Sequence, residues 1–248
     1  MNPSERRAVV VIAGLYAMRM IGLFMVLPVF MVLGQSLEGA TPALLGMAIG
    51  AYGLTQAVLQ IPFGVMSDRL GRKPVIVAGL LLFAAGSLLA AVSDSVWGVI
   101  AGRFLQGAGA IASALMALLA DVTREEQRTR GMAIVGMTIG LSFIVALLIG
   151  PVVAEWVGLS GLFGLTAVMA LGGLVLLAVI PTPRRQTLNR DTSVDTARFA
   201  DVLRHSDLLR LNWGIFSLHL ILTSLFVVLP KLLVEVHGIE VAHHGWLY

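Results

Sequence analysis

The sequence predicts an all-α integral membrane protein, and two observations carry that prediction. Of 248 residues, 58% are hydrophobic and only 12% are charged, and the mean hydropathy is +0.92, well outside the range of soluble domains. The apolar residues also gather into seven runs, at 8–33, 43–66, 74–92, 96–119, 131–154, 160–180 and 211–230. These match the roughly 20 residues a helix needs to cross about 30 Å of hydrocarbon. Only helices or closed barrels satisfy their backbone groups there.

The first run follows Arg6 and Arg7. It is longer than the apolar core of a signal peptide, about 7 to 15 residues, and lacks a small-residue cleavage site, so it reads as a retained helix. The second and third runs are joined by GVMSDRLGRKP, Gly64 to Pro74. Asp68, Arg69, Arg72 and Lys73 cannot sit in hydrocarbon, which predicts a very short, basic, water-facing turn. Gly64 allows close helix approach, Gly71 permits a tight reversal, and Pro74 can open the next helix, where no N–H partner is needed. Asp68, near a helix end, suits the capping of a neighbouring helix N-terminus.

Past the sixth run the chain turns polar. PTPRRQ ends the span, and VDTARFADVLRHSDLLRL spaces Val194, Phe199, Val202, Leu203 and Leu209 at roughly helical intervals among charges, the pattern of an amphipathic helix lying on a membrane surface. The expected organisation is a six-helix bundle over 1–180, a cytoplasmic linker over 181–210, and the first helix of an incomplete second half over 211–248. A second unit begins and the chain stops soon after, so the sequence reads as cut short.

Charge sets the expected orientation. With the N-terminus inside, 14 of the 17 Lys and Arg residues fall on the inner side, while Glu38, Asp94, Glu155, Glu235 and Glu240 fall outside with Lys231. This is the positive-inside bias of a multi-pass protein, here expected in the bacterial inner (plasma) membrane with a cytoplasmic N-terminus. It accounts for the net charge of +3 without nucleic acid as a partner; membrane lipid is the expected surroundings. The chain has no cysteine, which excludes disulfides and thiol chemistry.

Three ionisable side chains lie inside spans, where charge is costly unless it faces a cavity or a partner. Arg19 falls near mid-bilayer and Arg103 about two turns into the fourth run. Neither has an acidic partner in the spans, but Tyr16, Tyr52, Gln56, Gln60 and Gln106 can supply acceptors. Arg103 fits either carbonyl bonding between packed helices or a cavity position. Without a second half, Arg19, Gln56, Gln60 and Arg103 are expected to face lipid or another copy. His219 is either a packed hydrogen-bonder or a group that loads and releases protons near neutral pH.

Gly46 with Gly50, Gly98 with Gly102, and Gly136 with Gly140 are small-xxx-small pairs of the kind that bring helices close. The methionines suit lipid-facing or core positions, or an adaptable apolar cavity. His237, His243 and His244 lack fixed metal-ligand spacing, and no phosphate-binding loop, nucleophile triad or carboxylate pair appears. No cofactor, metal or enzymatic activity is expected.

The ordered turn motif G-x-x-x-D-R-x-G-R-K-P resembles the signature of the major facilitator superfamily, in the position where that family carries it. RFLQGAGAIASA, Arg103 to Ala114, resembles the family's fourth-helix motif. Gly150-Pro151 resembles the core of its fifth-helix antiporter motif, although Met137, Ala146, Ala154 and Glu155 stand at surrounding small-residue positions. RMIGLFMVLPV, YGLTQAVLQIPFGVMSDRLGRKP and MALLADVTREEQRTRGMA extend the likeness to bacterial drug/proton antiporters. The resemblance implies proton-coupled multidrug efflux by alternating access, with a small molecule and protons as partners. It also implies that Asp68 docks on the absent second half and that Arg72 pairs with Asp121 to hold the halves together when the carrier opens outward.

Two alternatives stand beside this. One is a nonfunctional fragment of such a carrier. The other is a rhodopsin-like sensor or pump, which would need a mid-helix lysine and an acidic counter-ion, whereas Lys231 is at the outer end of its span and 74–92 holds no Asp or Glu.

Overall fold

Asn2 and Glu5 open helix α1 (Pro3–Phe24) with a capping box: the Asn2 side chain accepts from the Glu5 backbone N–H, and Glu5 accepts from that of Asn2, closing two donors a helix start leaves open. In this computed structural model, which describes residues 1–180 and 204–247, α1 leads into α2 (Leu27–Leu33) and a 3-10 turn (Gly34–Ser36). The expected single span 8–33 is therefore bent at Met25 and Val26. Pro28, in the first turn of α2, has no N–H to offer Phe24.

Helix α3 (Pro42–Leu70) starts at Thr41, whose hydroxyl accepts from Leu44 N–H at 3.2 Å, and continues through Asp68 and Arg69. Helix α4 (Arg72–Ala91) begins at Arg72. The expected water-facing turn thus shrinks to one residue, Gly71, whose φ of 98° lies where side chains are strained. Gly71 and Arg72 are buried rather than bathed in water. Pro74 sits inside the first turn of α4, where a missing donor is still harmless.

The span expected at 96–119 is likewise split, into α5 (Val96–Ala108) and α6 (Ala112–Val122). The cause is tertiary. A Cβ on Gly107 would lie 2.3 Å from the Tyr52 carbonyl of α3, and one on Gly109 would lie 2.4 Å from the Gly79 carbonyl of α4, so two neighbouring backbones press on this segment.

Helix α7 (Glu125–Val179) has 55 residues, which at 1.5 Å each is about 80 Å, far beyond one crossing. Gly158, at φ 65°, divides it. Before that point Gly131 lies near Val9 and Gly150 against Met25, parallel to α1; after it Thr166 meets Gly22 and Gly173 meets Leu15, antiparallel. The chain reverses at Gly158, so α7 supplies both expected spans, 131–154 and 160–180.

Helix α8 (Ser206–Glu235) overruns the expected 211–230 at both ends, and a final 3-10 turn covers Val241–Trp246. The last linker residues are thus already helical, while the amphipathic helix expected around Val194, Phe199, Val202 and Leu203 lies outside the described residues. Among the described residues six helical stretches are long and apolar enough to cross a membrane; with α7 crossing twice they give seven passages. Among the described residues there is no strand, only an isolated bridge between Glu38 and Ser95.

Two large apolar clusters fill the ends of the bundle, with a small one of Leu23, Tyr52, Phe83, Ala84 and Ala170 besides. Val9, Ile12, Phe63, Ile76, Leu115 and Leu177 pack at the end that holds Gly71; Val29, Phe30, Leu45, Val99 and Phe163 pack at the opposite end. Hydrocarbon offers helices no hydrophobic drive toward one another, so association rests on close packing and hydrogen bonds. Gly86 and Gly102 bring α4 and α5 together, with Cβ positions 2.6 and 2.7 Å from each other's carbonyls. Thr166 donates to Gly22 O at 2.8 Å, a bond between α7 and α1. Gly46, Gly50, Gly136 and Gly140, by contrast, have nothing within 4 Å. Their expected packing role is not fulfilled among the described residues.

Candidate transport site

At the Gly71 end, the i to i+4 spacing across the α3–α4 reversal brings Asp68 and Arg72 into an ion pair. Arg72 also donates through Nε to Asp121 Oδ2 at 3.1 Å and through Nη1 to Ser67 Oγ at 2.7 Å. One guanidinium therefore ties α3, α4 and α6 together. Its neighbour Lys73 donates to the Ile180 carbonyl, closing the end of α7. Arg69 is exposed and Gly64 is buried. Ser67 and Ile180 are partners that sequence reasoning missed: Ser67 lay inside the motif, but a carbonyl 107 positions away leaves no sequence signal.

A second ion pair stands at the same end. Glu5 is buried at 4% exposure, and Arg124 Nε donates to it at 2.9 Å. The Arg124 side chain, then the Asn2 backbone N–H, hold the Glu5 carboxyl down at about 2, and Glu5 in return raises Arg124.

Between the two apolar clusters lies a polar layer. Arg19 Nη2 donates to the Tyr52 hydroxyl and to Gln56 Oε1, each at 3.3 Å, and its guanidinium lies 5.3 Å from the Phe83 ring centre. Arg103 sits over the other feature of the same tyrosine, 4.9 Å from the Tyr52 ring centre, a favourable placement for a cation. Its Nη1 donates to Gln106 Oε1 at 2.9 Å, and Gln106 passes the chain on to Ser87 Oγ at 2.7 Å. Arg103 Nε reaches the Ala48 carbonyl at 3.4 Å, the carbonyl bonding that was one of its two expected arrangements. Ser87 and Phe83 were missed, since nothing local marks them.

The expectation that Arg19 and Arg103 face lipid is overturned: each is 3% exposed. Acceptors on α3 and α5 draw both side chains inward, where bonding offsets the penalty that lipid would impose. Gln56 and Gln60 are half-buried. Gln60 does not join the layer; its backbone carbonyl accepts from Ser113 at 3.1 Å. Tyr16 donates to Ala112 O at 2.8 Å rather than serving an arginine. Nor is His219 brought to this layer. It is exposed on α8, with Nδ1 2.8 Å from Ile215 O.

Gly150 and Pro151 act through shape. A Cβ on Gly150 would stand 2.6 Å from Met25 O, so α7 lies directly on the bend between α1 and α2. Pro151 is buried within α7. Beyond it, at the end opposite Gly71, Leu33, Pro151, Ala154, Glu155, Glu240 and Val241 line a cavity of about 330 Å³. Among the described residues no group of His, Asp or Glu is placed to hold a metal.

A helical bundle with a bonded polar layer at mid-depth and an ion-paired reversal at one end is the architecture of a multi-pass membrane protein. The chain belongs to the major facilitator superfamily, whose family model matches residues 12–248. It is 50% identical to the inner membrane transport protein YajR of Escherichia coli K12, over 100% of this chain and 55% of that protein. Tetracycline resistance protein, class B, of Escherichia coli is 30% identical over 61% of this chain and 37% of its own length. In fold it is similar to a bacterial homologue of the human lysosomal transporter Spinster, solved inward-facing and unoccupied, with a TM-score of 0.78, 15% identity, and coverage of 100% of this chain and 59% of that one. The matches span 37 to 59% of the length of these relatives.

Proposed function

We propose that this chain is the first half of a proton-coupled efflux carrier for drug-like or amphipathic small molecules, working by alternating access in the bacterial inner membrane with its N-terminus in the cytoplasm. The observation that carries the reading is Arg72 held between Asp68 and Asp121. A buried cation shared by two carboxylates on separate helices has more than one good pairing. Such an element can exchange partners as two halves rock around a midplane site. In this reading Asp68 is the partner released to the second half, and Arg72–Asp121 persists in the outward-open state.

The mid-depth layer of Arg19, Tyr52, Gln56 and Gln106, with Gln60 on its rim, is the part of the cavity this half supplies, and Arg103 packs behind it. Substrate chemistry rests on the tetracycline-resistance likeness, and orientation on the inner-side basic bias. His219 is assigned the proton, because an imidazole can both take up and release one and its exposed face is free to meet a second half.

The test uses inside-out membrane vesicles from cells expressing the chain together with a second half. Addition of tetracycline should collapse a preformed pH gradient, read by acridine orange. His219→Gln, which keeps hydrogen-bonding size but cannot titrate, should abolish that signal while retaining tetracycline binding. Undiminished gradient collapse in the variant moves the proton elsewhere, and no collapse in the parent rejects coupled efflux of this drug.

A further inference from the structure

Arg19 is nine-tenths buried and more, yet two of its three guanidinium nitrogens, Nε and Nη1, are buried with no hydrogen-bond partner. The two bonds it makes, from Nη2 to Tyr52 and Gln56, sit at 3.3 Å, beyond the usual range for N–H···O. Arg103 differs. It is equally buried and each arginine lies near one aromatic ring, but Arg103 leaves no buried nitrogen without a partner; Gln106 and the Ala48 carbonyl take its donors.

A guanidinium does not lose its proton in proteins and prefers planar, two-point acceptors. It presents two such edges, Nε with Nη2 and Nη1 with Nη2. In Arg19 each edge has one free donor beside Nη2. An arriving carboxylate would take the free donor and displace one long, neutral bond for a charge-assisted one. The described residues supply no such group. Asp68 and Asp121 are engaged by Arg72, and Glu5 by Arg124. Gln56 is half-buried, so the cluster reaches the bundle surface on that side.

We propose that Arg19 is the receptor for a carboxylate or comparable oxyanion at mid-depth of the bundle. That group comes from the transported molecule or from an acidic side chain of a second half. The proposal deepens the carrier reading and rests on it only for this choice of source; the binding chemistry stands on the chain alone.

The chain in nonionic detergent is titrated by calorimetry with 4-tert-butylbenzoate and with 4-tert-butylbenzamide, which share shape but not charge. The parent should bind the benzoate saturably and at least tenfold tighter than the amide. Arg19→Gln should erase the preference, Arg19→Lys should keep part of it, and Arg210→Gln, at the exposed start of α8, should leave it unchanged. Should Arg19→Gln fail to fold, the parent's discrimination between the probes and its partial retention in Arg19→Lys decide the matter. No benzoate binding, equal binding of both probes, or an unchanged preference in Arg19→Gln overturns the proposal. With a second half present, Arg19-dependent benzoate binding that survives assigns the site to the transported molecule, and loss of it assigns the site to an acidic residue of that half. A preserved benzoate preference without proton-coupled efflux would reject the carrier reading alone.

Discussion

Arg72 and Asp121 meet at 3.1 Å with side chains 8% and 3% exposed, and the same arginine holds Asp68. Removing one partner of a buried pair strands the other, at a cost of about 3 to 5 kcal/mol. Arg72→Ala strands two carboxylates and should destabilise the chain at the upper end of that range. Asp121→Asn leaves Arg72 its bond to Asp68 and should cost less. Arg72→Lys should not restore the parent value, because one ammonium cannot meet Asp68, Asp121 and Ser67 in their fixed places. Thermal unfolding in detergent, followed by tryptophan fluorescence, ranks the three; equal midpoints for Arg72→Ala and parent would dismiss the network as a stabilising element.

Glu5 gives the fold an acid dependence with a defined sign. Its carboxyl is lowered from 4.5 to about 2 by Arg124 and the Asn2 N–H. A depressed carboxylate contributes stability fully above its unfolded value, and that contribution fades as pH falls from about 4.5 toward 2. Glu5→Gln should therefore melt below the parent at pH 7, with the gap closing through this window. A gap independent of pH would mean that Glu5 acts by shape rather than charge.

Close approach separates one glycine from another. A Cβ on Gly86 would sit 2.4 Å from the Gln106 backbone nitrogen, so Gly86→Val should cost about 3 kcal/mol, the high end of overpacking. Gly50 has open space around it, and Gly50→Ala should be neutral or gain up to about 1 kcal/mol from helix propensity. Midpoints measured side by side check both; a harmless Gly86→Val would show that α4 and α5 can separate.

Orientation is tested in the cysteine-free background. Ser67, though in the turn motif, is 1% exposed and a poor probe; Glu126 and Asp94 are exposed at opposite ends. In intact cells a membrane-impermeant maleimide should label Asp94→Cys and spare Glu126→Cys. The reverse pattern would invert the proposed topology.

The sequence by itself determined that this is a membrane bundle, where its seven apolar passages fall, and which family it joins, because hydrocarbon admits only long apolar helices and because the ordered Gly, Asp, Gly, Arg, Lys, Pro series is tied to one short reversal. Gly71 was readable for the same local reason. The breaks at Met25 and at Gly109 through Ile111 were not, and neither was the inward turn of Arg19 and Arg103. Those depend on what a neighbouring helix presses against or offers: the Tyr52 and Gly79 carbonyls on α5 and its end, the Tyr52 ring and hydroxyl between two guanidiniums, Ser87 at the end of a chain of bonds. Periodicity records which residues avoid water, whereas the partner of a buried charge is set by side chains far away along the chain, and only the packed bundle decides it.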